Sequence, residues 1–283
     1  MPDQPTVLIT GATGKQGGAV IRELAGKGFD LRAMTRHPQG EAAGALASTG
    51  ARIVRGDLDD PASLRAALAG VWGVFAVQNT WEAGVEREEQ QGKRIATLAK
   101  EAGVQHFVYT SVGSAHRHTG IPHFENKWRI EQTVRSLGFS SHVIIRPVFF
   151  MENLISPAFL NGDKIYTPLD PATALQMIAV QDIGRYGARM FTDAARLSRR
   201  EIDLAGDTAT MPEAAKALSA GLGRPIEFVR IPIEQVRQNS EDFAVMLEWF
   251  DRVGYNADIP ALEREFGITS TTLPAWAARL PRS

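Results

Sequence analysis

The 283-residue chain contains no cysteine. That absence excludes structural disulfides, thiolate zinc sites and a cysteine nucleophile. No charge of one sign prevails, since 31 Lys and Arg face 32 Asp and Glu for a formal charge of −1. Proteins that bind nucleic acid directly usually carry a basic excess, so no direct nucleic-acid contact is expected. No apolar run reaches the roughly 18 residues of a membrane span. The opening MPDQPTVLIT has neither the basic nor the long apolar region of a secretory signal. The expectation is a cytoplasmic protein with no membrane partner. HExxH is missing and His116, His118 and His123 are poorly spaced for zinc, so no metal site is expected. No Gly-x-Ser-x-Gly elbow supports a hydrolase.

What is present is a regular alternation. Hydrophobic residues make up 44% of the chain, enough for a sizeable core. Short apolar runs at 6–10, 31–35, 52–55, 71–77, 106–110 and 143–146 read as strands. Helical patterns lie between them. Val20, Ile21, Leu24 and Ala25 recur at helical spacing, and Gly28 follows as a stop. Asp60, Pro61 and Gly70 bracket SLRAALA as N-cap, first helical residue and terminator. Two further helices are expected near 84–102 and 124–137. Strand–helix alternation of this kind implies crossover connections and a parallel sheet covered on both faces.

After Pro147 the alternation weakens and helical patterns dominate. They include 182–194, a capping box opening at Thr210 with Glu213, and an apolar stripe of Phe243, Met246, Leu247 and Phe250. The fold class expected is therefore α/β, a Rossmann doubly wound parallel sheet with a smaller, mainly helical C-terminal domain. The boundary is placed between 1–153 and 154–283, with about 175–205 packing back on the sheet.

Gly11, Ala12, Thr13, Gly14, Lys15, Gln16 and Gly17 sit between the first strand and the first helix. In that context glycines permit a sharp turn, close approach of backbone to a pyrophosphate, and tight helix–strand packing. Amides at the helix start then face the phosphates. An acid just after the second strand would bind the ribose 2′-OH of NAD. Arg36 and His37 stand there instead. A guanidinium suits the 2′-phosphate of NADP, although an ordinary surface arginine is the alternative. Asp57 and Leu58 follow the third strand, where an adenine could meet them. Gln78, Asn79 and Thr80 follow the fourth. Both segments lie at carboxyl ends of strands, where open α/β sheets bind ligands. Trp81, Phe149, Phe150 and Met151 are apolar residues near strand ends, suited either to the core or to stacking on a planar substrate.

The segments GATGKQGGAV, TRHP, GDLDD, NTWE to EQQGK, HFENKWRIEQ, RPVFFMENL and VQDIG together resemble the NmrA-like group of atypical short-chain dehydrogenase/reductases. The resemblance is nearest to its NADP(H)-sensing branch and looser to its quinone and dye reductases. It implies a cleft between the two domains and NADP(H) as cofactor. By that resemblance the glycine loop holds the pyrophosphate, Arg36 the 2′-phosphate, and Asp57 and Leu58 the adenine. Asn79 lies along the cofactor and Lys127 meets the nicotinamide ribose. Phe150, Met151, Glu152 and Asn153 line the nicotinamide end.

One departure concerns the chemistry. Short-chain dehydrogenases use Tyr-x-x-x-Lys, in which the lysine helps the phenol move a proton. None of Tyr109, Tyr166, Tyr186 and Tyr255 has lysine four residues on, and His123 stands four before Lys127. Lys127 is the first catalytic candidate, against the alternative of a solvated helix lysine. His123, which can exchange a proton near neutral pH, is the second. Two functions remain open. One is an NADPH-dependent oxidoreductase of quinone-like or other planar acceptors, the preferred reading. The other is a catalytically silent NADPH/NADP sensor that regulates a protein partner. A homodimer is compatible with either.

Overall fold

The computed structural model describes residues 4–282. Its first half runs β1 (Thr6–Ile9), α1 (Lys15–Leu24), β2 (Asp30–Thr35), α2 (Glu41–Ala47), β3 (Arg52–Arg55), α3 (Pro61–Leu68), β4 (Gly73–Ala76), α4 (Thr80–Ala83), α5 (Val85–Glu101), β5 (His106–Thr110), α6 (Pro122–Ser136) and β6 (Ser141–Pro147). The second half runs β7 (Phe149–Phe150), β8 (Leu160–Asn161), β9 (Lys164–Thr167), β10 (Leu175–Ile178), α7 (Val180–Thr192), α8 (Ala194–Leu197), β11 (Glu201–Leu204) and β12 (Asp207–Ala209). It ends with α9 (Met211–Leu222), β13 (Glu227–Arg230), α10 (Ile233–Arg237), α11 (Glu241–Arg252), α12 (Ile259–Phe266) and α13 (Leu273–Ala277).

Seven strands form the main sheet in the order β3-β2-β1-β4-β5-β6-β11. Every pairing in it is parallel. The order reverses between β1 and β4, which opens a crevice at the carboxyl ends of those strands. Thr10 holds that crevice in shape. Its Oγ1 donates to the Val77 carbonyl at 2.9 Å and accepts from the Val77 amide at 2.8 Å.

The helices cover both faces because their apolar residues fall on one side. Ala19, Val20, Ile21 and Leu24 of α1 are buried, and α7 packs against that helix. Small residues set the approach: a Cβ on Gly184 would lie 2.8 Å from the Ala19 carbonyl oxygen. The Asp60 carboxylate caps α3 by accepting from the Ala62 amide at 3.0 Å, with Pro61 in the first turn. The Thr210–Glu213 capping box opens α9. None of the helices is long and apolar enough to cross a membrane, among the described residues.

The expected Rossmann sheet and C-terminal helices are both present. The observed strand at 73–76 is shorter than the expected 71–77, because Val77 turns to Thr10 and Trp72 donates its amide to Thr6. Two small sheets, β12-β10-β7 and β13-β9-β8, were not expected among the C-terminal helices. Their strands are two to four residues long, too short to display an alternating pattern. The 175–205 stretch contributes α7 and the edge strand β11 to the main sheet layer, while β10 belongs to a small sheet.

Candidate functional site

A cleft of about 760 Å³ opens where the strand order reverses. Its floor is the glycine loop. Gly11 has φ of +54°, a left-handed conformation costly for residues with a Cβ. A Cβ on Gly17 would lie 2.4 Å from the Gly11 carbonyl oxygen, so the helix start and the turn meet through bare backbone. Gly14 caps α1 with no side chain on the first-turn amides, and no acid occupies that turn. Gly11, Thr13, Gly14, Lys15, Gln16 and Gly17 line the cleft. Ala12 does not, being fully buried beneath the turn. Gln16 is anchored by the Thr110 hydroxyl, which donates to its Oε1 at 2.7 Å.

Along one wall stand Arg36, His37, Asp57 and Leu58. Arg36 is paired with Glu82 of α4, both side chains being about half exposed. An exposed pair contributes at most about 1 kcal/mol. A doubly charged phosphate can therefore displace Glu82 readily. Asp57 braces its own turn by accepting from the Asp59 amide at 2.9 Å. Asp59 is held in turn by Arg87, Gln91 and Arg94. Burial works against its charge, but hydrogen bonds from Arg87, Gln91 and Arg94 outweigh it and lower its pKa.

Deeper in the cleft, Gln78 is buried with neither side-chain polar atom bonded, and Ser111 Oγ is likewise unpaired. Buried polar groups without partners are costly. Both residues line the cleft, where their donors and acceptors are available to a ligand. Together with the helix start free of side-chain caps, they fit a dinucleotide. Asn79 caps α4 by accepting from the Trp81 amide at 3.2 Å, and Thr80 donates to the buried Glu88.

Glu88 also binds Lys127 Nζ at 2.5 Å and Asn126 Nδ2 at 2.9 Å. Burial disfavours its charge, yet the Lys127 ammonium and these hydrogen bonds prevail and lower the carboxyl pKa. Lys127 is therefore no solvated helix lysine. It is largely buried, lines the cleft, and is fixed from behind by a carboxylate on α5.

At the opposite end the walls turn apolar. Trp81, Phe149, Phe150, Phe159, Phe243, Met246 and Tyr255 surround the opening, with His123 and Asn153. Trp81 is 62% exposed, which leaves an indole face open to a planar partner. Its other contacts are the His123 ring at 5.2 Å and the Phe243 ring at 5.8 Å.

Besides Ala12, two expected cleft residues lie elsewhere. Met151 is fully buried in the C-terminal core. Glu152 accepts from the Val180 amide at 3.0 Å and from Trp276 Nε1 at 3.1 Å, bracing the start of α7. Burial raises its pKa. In the short helical turn 151–153, only Asn153 reaches the cleft. Sequence reasoning missed Asp59, Arg87 and Gln91 on the polar wall, and Phe159, Phe243, Met246 and Tyr255 on the apolar one. The apolar stripe of 243–250 signalled a helix face but not what that face covers.

A model of the NmrA-like family matches residues 3–278. The chain is similar to the NAD(P)H azoreductase of Xenophilus azovorans, with 31% identity over 82% of this chain and 79% of that protein. It is 36% identical to the NmrA-like oxidoreductase FrzB of a Cladobotryum species, but the match spans 48% of that longer protein. Among solved structures it is similar to NmrA, a negative transcriptional regulator in complex with NADP, with TM-score 0.80, 22% identity and coverage of 98% and 95%. It is also similar to the NADPH-dependent quinone oxidoreductase QOR2 of Escherichia coli complexed with NADPH, with TM-score 0.78, 24% identity and coverage of 96% and 98%.

Proposed function

We propose that this chain, which belongs to the NmrA-like family, is an NADPH-dependent oxidoreductase of planar, quinone-like acceptors. The observation that carries the reading is one continuous cleft with a polar dinucleotide floor and an aromatic far wall open to solvent. The azoreductase and quinone reductase relatives support it, since both activities transfer reducing equivalents to flat conjugated molecules.

In this reading the backbone of 11–17 and the start of α1 bind the pyrophosphate. Arg36 takes the 2′-phosphate from Glu82 and gives NADPH its advantage over NADH. Gln78 and Ser111 satisfy their unpaired groups on the cofactor. Lys127, held by Glu88, orients the nicotinamide ribose. When bound, NADPH supplies the hydride, which is why the missing tyrosine does not exclude reduction. Trp81, Phe243 and Phe159 stack on the acceptor and exclude water beside it.

The test is NADPH oxidation by purified protein across quinones and azo dyes, with protein-free and Trp81→Ala controls. Saturable turnover well above the protein-free rate and weakened by Trp81→Ala is expected. Binding of NADPH with no turnover on any acceptor overturns the reading.

The second reading, a sensor, rests on one observation. The short helix α4 is tied to the phosphate end of the cleft by Glu82 to Arg36 and to its middle by Thr80 to Glu88. A 2′-phosphate that displaces Glu82 would loosen α4, and a protein partner could read the change. NADPH-dependent proteolytic cleavage within 79–87 supports it; identical digestion with and without NADPH counts against it.

A further inference from the structure

His123 takes the sequence position of the missing tyrosine, four residues before Lys127. It lies on α6, one turn before Lys127, and lines the same cleft. Its Nδ1 is 2.5 Å from Oδ1 of Asp242, at the start of α11. The His123 amide is directed at the same oxygen at 3.5 Å. An imidazole that donates Nδ1–H to a carboxylate is fixed in the tautomer that leaves Nε2 free for a proton. Among the described residues no group bonds to Nε2, and it is not one of the buried unpaired polar atoms. The Trp81 ring at 5.2 Å and the Phe124 ring at 4.8 Å confine the imidazole. The charged groups around it are few. Asp242 comes from α11, Lys127 on α6 is neutralised by Glu88 of α5, and Glu82 of α4 is turned to Arg36.

We propose that His123 and Asp242 form a proton-delivering dyad at the acceptor end, with His123 the acid and Asp242 the residue that positions it. The dyad selects acceptors whose reduction needs a proton on oxygen or nitrogen, such as a quinone carbonyl or an azo bond. This inference rests on the oxidoreductase reading. The two electrons and one hydrogen reach the acceptor as hydride from NADPH, which leaves as NADP⁺. The negative charge left on the acceptor heteroatom takes the proton: the His123 Nε2–H bond breaks as the O–H or N–H bond forms. The imidazole is left neutral, with its Nδ1–H still on Asp242, and a proton from bulk solvent, relayed by water in the open cleft, restores the Nε2–H.

Two chemically different acceptors separate this role from simple packing. Menadione needs a proton with the hydride. Malachite green, a cationic triphenylmethane dye, becomes neutral on receiving hydride alone. His123→Gln is expected to lower the ratio of kcat on menadione to kcat on malachite green by about 100-fold, the lower range for a positioned acid. An equal loss on both acceptors means that His123 only shapes the pocket, and overturns the proposal. The second measurement needs no turnover. In protein with ¹⁵N-labelled histidine, assigned through His123→Gln, the neutral His123 ring is expected to carry its proton on Nδ1. Asp242→Asn is expected to shift that proton toward Nε2. A ring protonated on Nε2 in the wild type, or one indifferent to Asp242→Asn, overturns the proposal. Failure of the wild type to reduce either acceptor is instead the failure of the oxidoreductase reading, and the acid role falls with it.

Discussion

The two ends of the cleft are built on different principles. At the phosphate end the working parts are backbone: a left-handed glycine, a helix start free of side chains, and strand ends from one stretch of alternating sequence. At the acceptor end the parts are side chains. Trp81, His123, Phe159 and Phe243 come from segments as much as 162 positions apart, and no local motif joins them. A site made of backbone is announced by the residues the backbone needs. A site made of side chains is announced only by the fold that assembles them.

The largest effect is expected at the seam between the ends. Lys127→Met leaves Glu88 buried without its counter-charge, and breaking a buried pair in this way costs about 3–5 kcal/mol. Thermal and denaturant unfolding will show it, and adding Glu88→Gln is expected to recover most of the loss. The pH dependence has a definite sign. Because Glu88 is held below its ordinary carboxyl pKa, its contribution is full above that ordinary value and is lost as pH falls through the lowered one. The double variant is expected to lack this part of the acid sensitivity.

Gly17→Val attacks the backbone-built end. The new side chain cannot avoid the Gly11 carbonyl, and a displacement of ~1 Å at a positioned group costs about 100-fold. Titration of the variant with NADPH is expected to show a loss of that order, with the fold intact by circular dichroism. An unchanged Kd would mean the loop is a structural turn.

Arg36→Ala sharpens the cofactor choice. Loss of charge-assisted hydrogen bonds to a 2′-phosphate is expected to weaken NADPH by about 10- to 100-fold. NADH, which lacks that phosphate, is expected to be nearly unaffected. Equal losses for both would remove Arg36 from the 2′-phosphate site. The smallest effect belongs to Glu82→Gln. Freed of its exposed partner, Arg36 is expected to bind NADPH tighter by up to about 5-fold, the worth of a surface pair. Weaker binding would mean that Glu82 helps to hold the cofactor.

Six strands of the main sheet were legible in the sequence because they are four to seven residues long and alternate with helices; the seventh, β11, was not read as a strand. The phosphate loop was legible for the same reason. Beyond Pro147 the strands are too short and the turns too frequent for a period to register. Glu152 shows the limit of reasoning by neighbouring position: it adjoins Asn153, which faces the cleft, yet a single helical turn aims it at Val180 and Trp276. Asp242 shows the other limit. Nothing near it in sequence points to His123, 119 residues away. Only the folding of α11 over the cleft mouth joins them.

The central claim is that one cleft holds NADPH and an acceptor together, so that hydride passes directly between them. The most direct test measures steady-state reduction of menadione with NADPH deuterated at C4 on one face or the other. The account predicts a rate that saturates with acceptor and is slowed by deuterium on one face only. Two equal rates, matching unlabelled NADPH and rising linearly with acceptor as they do without protein, would contradict it.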